Sequence, residues 1–136
     1  MLTRYFRWIY FGWFATISAL IVLQLYLAGY GVFGGGFGAH LVNGWLIGLA
    51  ILAGIGLAFA ARVPWRMTGI NAILLVLMAV QSVLAHTEVP GISALHVVNG
   101  VLILVGTLYL TWEAWKVART SPPETQTVPA PAAFKT

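Results

Sequence analysis

Two copies of one short string carry the side chains best suited to chemistry. They are His40-Leu41-Val42-Asn43-Gly44 and His96-Val97-Val98-Asn99-Gly100. Each opens an apolar run, and each follows another apolar run that carries a single glutamine, Gln24 or Gln81. Gln24 precedes His40 by 16 residues and Gln81 precedes His96 by 15, so the two halves superpose at an offset of about 56. An imidazole can bind a metal or move a proton, and amides can donate and accept the hydrogen bonds that orient it. Side chains of these types are costly inside an apolar helix and mark a functional site there.

The surrounding composition sets the solvent. Of the 136 residues, 60% are apolar and 7% charged, with a mean hydropathy of +0.92. A soluble domain carries about 25% charged residues, so this chain lacks the charge to face water and its partner is the lipid bilayer. There is no cysteine, which removes disulfides, iron–sulfur clusters, thiolate metal sites and thioether-linked haem. The net charge of +4 comes from cations at helix ends; that placement reads as membrane topology and not as nucleic-acid binding.

Four apolar stretches position the repeated residues. They run over about 8–29, 38–61, 67–85 and 92–115, each near the ~20 residues one crossing needs. The first is longer than the ~7–15 residue apolar region of a signal peptide, so it reads as a retained helix. The connections are a glycine-rich stretch at 30–37, Arg62-Val63-Pro64-Trp65-Arg66, and a turn from His86 to Gly91. Residues 1–119 thus form one transmembrane domain. The tail 120–136 holds four of the six prolines and reads as extended and disordered, or as a segment that orders against a partner.

Four crossings put both termini on one side. All seven cations (Arg4, Arg7, Arg62, Arg66, Lys116, Arg119 and Lys135) fall on that side, and the opposite loops hold only Glu88. The positive-inside rule makes that side cytoplasmic, giving a multi-pass protein of the cell membrane. Tyr and Trp residues gather toward both ends as interfacial belts. Each repeat spans the membrane twice, so the copies share one orientation, as a parallel repeat. The expected fold is all-α: an antiparallel four-helix membrane bundle with an internal two-helix repeat.

His40 stands 22 residues before Arg62 and His96 stands 20 before Lys116, or about 33 and 30 Å along a helix. Both therefore lie near the outer boundary of a ~30 Å hydrocarbon core. Gln24, Gln81, Asn43 and Asn99 share that layer. His40, Gly44 and Gly48 share a helix face, and His96 and Gly100 repeat its first step. A glycine one turn from a histidine leaves a gap that suits either a neighbouring backbone or the plane of a porphyrin. Equivalent histidines on the second and fourth helices face each other across the bundle axis. One haem b with two imidazole ligands fits that symmetry, with Gln24, Gln81, Asn43 and Asn99 as groups to orient the rings. The plainer alternative makes the histidines structural and the amides interhelical hydrogen bonds.

At these residues the chain resembles one half of heme A synthase, a duplicated pair of four-helix bundles. That family has a glutamine followed by Leu-Gly/Ala-Gly on the first helix of a half, a histidine opening the second, and a similar pair on the third and fourth. The matching residues here are Gln24 with Leu27-Ala28-Gly29, His40, Gln81 with Leu84-Ala85, and His96. The chain also looks like the uncharacterised small four-helix bacterial membrane proteins that share this pattern. The resemblance covers roughly residues 10–118 and implies His40 and His96 as axial ligands of haem. It does not imply haem A synthesis, because the loop at 30–39 has neither the glutamate nor the cysteine pair of that family.

Other chemistry finds little footing. Glu88, Glu113 and Glu124 are the only carboxylates, and no paired acids, nucleophile–base spacing or phosphate loop occurs. His86 reads as a loop residue; His40, His86, His96 and Glu88 together would make an alternative zinc or copper site. The expected work is electron transfer, to or from a quinone or within a larger respiratory or photosynthetic membrane complex. The alternative is a haem-free accessory subunit of such a complex.

Overall fold

The computed structural model describes residues 2–120, and these are all-helical with no strand among them. Helix α1 (Leu2–Tyr30) runs into a π-helical turn, Gly31–Gly35. Helices α2 (Gly38–Ala61) and α3 (Trp65–Ala85) follow, then a single turn, α4 (Pro90–Ser93), and α5 (Leu95–Arg119). Four helical segments are long and apolar enough to cross a membrane: α1 with its π turn, α2, α3, and α4 with α5. The reading of 121–136 as an extended tail lies outside the described residues.

Helix α2 matches its apolar stretch, whereas α1, α3 and α5 run past theirs at the charged end, because charge ends a span but not a helix. Helix α1 begins at Leu2 and carries Arg4 and Arg7 in its first turns; arginine is a good helix former. The glycine-rich connection begins helically and breaks only at Phe33 and Gly34. Gly34 and Gly36 have φ of +98° and +76°, a region glycine enters without a Cβ penalty. Pro90 sits in the first turn of α4, where a missing N–H costs nothing.

Helix α1 packs on α2 and α5, and α3 packs on the same two. The cyclic order is therefore α1, α2, α3, α5, with α2 and α5 on one diagonal. Tyr10, Phe14, Ile17 and Ile21 form the buried stripe of α1, at the spacing that one helix face requires. They meet Ile47, Ile51 and Ala58 of α2, Leu74 of α3, and Ile103 and Leu110 of α5 in one core. The outward faces are also apolar: Leu52, Ile73, Val76 and Val105 each expose more than half their surface.

The end of the bundle where α1 begins and α5 closes is locked by polar groups. The buried Glu113 carboxylate of α5 accepts from Arg66 of α3 at 2.8 Å and from Lys116 at 2.6 Å. At the close of α2, Val63 N–H donates to Ala58 O and Arg62 N–H to Phe59 O, the pair of bonds that defines a Schellman cap. Arg62 itself occupies the left-handed position of that cap, with φ +49°.

Candidate functional site

Two polar knots sit at the opposite end of the bundle, one on each pair of consecutive long helices. In the first, the Asn43 amide of α2 donates to Leu20 O at 2.9 Å and to Gln24 Oε1 at 2.8 Å, both on α1. Gln24 Nε2 donates to His40 O at 2.9 Å, and His40 Nδ1 lies 3.2 Å from Gln24 O. In the second, Asn99 of α5 donates to Leu77 O at 2.9 Å and to Gln81 Oε1 at 2.6 Å on α3. His96 Nδ1 lies 3.2 Å from Gln81 O. The two asparagines are equally buried, at 6% exposure each.

One bond differs. Gln81 Nε2 contacts the ring, 3.1 Å from His96 Nε2, where Gln24 Nε2 takes the histidine carbonyl. The tautomers follow from the partners. A carbonyl only accepts, so Nδ1 carries the proton in both rings, and each neutral imidazole keeps its lone pair on Nε2. That of His96 accepts the Gln81 N–H; that of His40 has no hydrogen-bond partner among the described residues.

The glycines explain how the amides fit. A Cβ on Gly44 would stand 3.1 Å from Gln24 Nε2, and one on Gly100 would stand 3.4 Å from Gln81 Nε2. Each glycine thus makes room for the glutamine of its own knot, whereas Gly48 faces Met78. The gap beside each histidine, open in the sequence to a backbone or to a porphyrin, is occupied on this side by an amide. Backbone carbonyls of Gln24 and Gln81 orient both imidazoles, and the Gln81 amide also holds the His96 ring; the amides of Gln24, Asn43 and Asn99 tie helix to helix without touching a ring. No property of residue type signals a carbonyl acceptor, so these contacts were invisible in the sequence.

The two half-buried rings come together across the diagonal. Their centroids are 6.2 Å apart with planes at 48°, and the Phe37 ring meets His40 edge-on at 6.0 Å. Beside them lies a cavity of about 750 Å³ lined chiefly by α2 and α3, with His40, Gly44, Gln81, His96 and Gly100 in its wall. Volumes of about 300–1,000 Å³ are usual for small-molecule and cofactor sites. His86 also lines it, with Nδ1 2.7 Å from Ser82 O. The three-histidine zinc or copper arrangement does not form: among the described residues no three His, Asp or Glu side chains lie close enough to hold a metal ion. His86 and Glu88 sit beyond the end of α3, on the turn leading to α4, and do not join the pair.

Residues 24–88, just under half of the chain, match the model of a family of unknown function, DUF6220. The match takes in Gln24, His40, Asn43 and Gln81 and ends ahead of His96. No curated protein matches the chain, and no solved structure does.

Proposed function

We propose that this chain is a multi-pass cell-membrane protein, termini inside, that holds one haem b between His40 and His96 near the outer face and serves electron transfer. Four helices of sufficient length, apolar on their outward faces, support insertion. The gathering of cations at the end that carries the termini supports the orientation. The likeness of the two knots, which share every bond but one, supports an internal two-helix repeat. The likeness to one half of heme A synthase points the same way, with a single haem site and without that enzyme's outer-loop glutamate.

One observation carries the cofactor reading. Both imidazoles hang by Nδ1 from a glutamine carbonyl, with ring centres 6.2 Å apart, in the wall of one cavity. An Nδ1–H bond to a carbonyl is the usual way a ligand imidazole is oriented and made more basic. His40 has Nε2 free to bind. For His96 to bind as well, the Gln81 amide would have to leave its Nε2, as in the first knot, where the Gln24 amide donates to the histidine carbonyl instead. If bound there, haem would be held by His40 and His96 and would supply reversible one-electron chemistry; the carbonyls of Gln24 and Gln81 would orient the two rings. Its electron partner is a quinone or a neighbouring subunit of a larger membrane complex.

The test is the haem content of the full chain, purified in mild detergent from cells supplied with haem precursor. One haem per chain, lost in His40→Ala and in His96→Ala, is the expected result. A second reading, a haem-free accessory subunit, is favoured by the Gln81–His96 contact, which satisfies that imidazole from within the protein. It predicts a colourless protein in which both substitutions are mild.

A further inference from the structure

A second groove lies at the opposite end of the bundle, and nothing in the histidine site uses it. About 530 Å³ in volume, it runs between the close of α2 and the start of α3. Its floor is small: Ala58 is buried, and a Cβ on Gly69 would meet nothing within 4 Å. Its walls are Phe59 and Trp65, exposed at 70% and 85%. Arg62 and Thr68 supply the polar lining.

Three features single out this groove. First, Arg62 lines the groove and, like Arg4, Arg7 and Arg119, forms no ion pair among the described residues, whereas the neighbouring Arg66 and Lys116 are both held by Glu113. Second, Arg62 takes the left-handed cap position at φ +49°, where glycine is the usual residue and any other is strained. Such strain is maintained where the side chain has work to do. Third, the Thr68 hydroxyl makes no hydrogen bond among the described residues, while those of Thr16, Ser18, Ser82, Thr107 and Thr111 all turn back on a helix carbonyl. An unpaired guanidinium and a free hydroxyl over an apolar slot are complementary to one kind of occupant, a phosphate headgroup with an acyl chain. The surrounding charge agrees: Arg4, Arg7, Arg62, Arg66, Lys116 and Arg119 gather at this end against the single carboxylate Glu113 among the described residues. Basic pockets between membrane helices on the cytoplasmic side recognise anionic lipids.

We infer that the α2–α3 groove binds one anionic phospholipid, its phosphate on Arg62 and Thr68 and an acyl chain along Ala58 and Gly69. This rests on the membrane reading above and is independent of the haem reading. The experiment is native mass spectrometry of the full chain in mild detergent, titrated with dioleoylphosphatidylglycerol or dioleoylphosphatidylcholine. One phosphatidylglycerol should be retained about fivefold better than phosphatidylcholine, the effect of one cation near an anionic headgroup. Arg62→Gly should abolish that preference without lowering thermal stability, because glycine suits the left-handed cap. Gly69→Leu, which fills the slot, should weaken both lipids. Equal retention of the two lipids, an unchanged preference in Arg62→Gly, or displacement by millimolar inorganic phosphate would each overturn the proposal. Release of the chain from membranes by alkaline carbonate alone would instead overturn the membrane reading beneath it.

Discussion

Removing the amides of the first knot singly and together gives a prediction that the geometry fixes numerically. Gln24→Leu deletes two side-chain hydrogen bonds, to His40 O and from Asn43; Asn43→Leu deletes two, to Leu20 O and to Gln24 Oε1. The double variant deletes three, because one bond is shared. An interhelical side-chain hydrogen bond in a membrane protein averages about 0.6 kcal/mol. Each single variant should then lose about 1.2 kcal/mol from its polar bonds and the double about 1.8, a coupling of about 0.6 kcal/mol. Packing changes at each site largely cancel in the cycle. The assay is reversible unfolding by SDS in mixed micelles, followed by circular dichroism. The second knot, with its 2.6 Å Asn99–Gln81 bond, should give at least as large a coupling. Strict additivity in both cycles would show that the knots do not hold the helices together, and the reasoning would fail.

Three other outcomes follow from the same structure. Gly54→Ala places a Cβ 3.0 Å from both Asn71 Nδ2 and Phe14 Cζ, so it should destabilise by about 1–3 kcal/mol, while Gly56→Ala, with nothing within 4 Å, should cost nothing in the same unfolding assay. Glu113→Gln should cost about 1 kcal/mol and not the ~3–5 of a fully buried broken pair, because the Arg66 and Lys116 side chains are 57% and 45% exposed and can turn to water; the deficit should shrink in 0.5 M salt. Since the chain has no cysteine, Thr87→Cys and Thr120→Cys each offer one labelling site: an impermeant maleimide should reach Thr87→Cys in intact cells and Thr120→Cys only after permeabilisation, and the reverse pattern would invert the topology.

Residue type made part of this structure legible and geometry hid the rest. Apolar length marks a long helix, so four such helices could be expected from composition alone, and Gln24, His40, Asn43, Gln81, His96 and Asn99 stood out because their types are costly in those runs. Helix ends were harder. Arg4 and Arg7 lie ahead of the apolar stretch yet belong to α1, since charge and helix propensity are separate properties. Gly44 and Gly100 could serve a backbone, a cofactor or a side chain; only the glutamine rotamers decide, and rotamers are not written in residue type. The Glu113–Arg66 pair joins residues 47 apart in sequence and depends on α3 lying beside α5. The carbonyls that receive His40 and His96 Nδ1 are alike at every residue and leave no signal.

The measurement that bears most directly on the central proposal is the visible spectrum of the purified full-length protein, oxidised and then reduced with dithionite. Sharp low-spin bands in the wild type, absent from both His40→Ala and His96→Ala variants that still elute as folded protein, are what two-histidine ligation predicts. A colourless wild type from haem-supplied cells, or a spectrum unchanged in either variant, would contradict it.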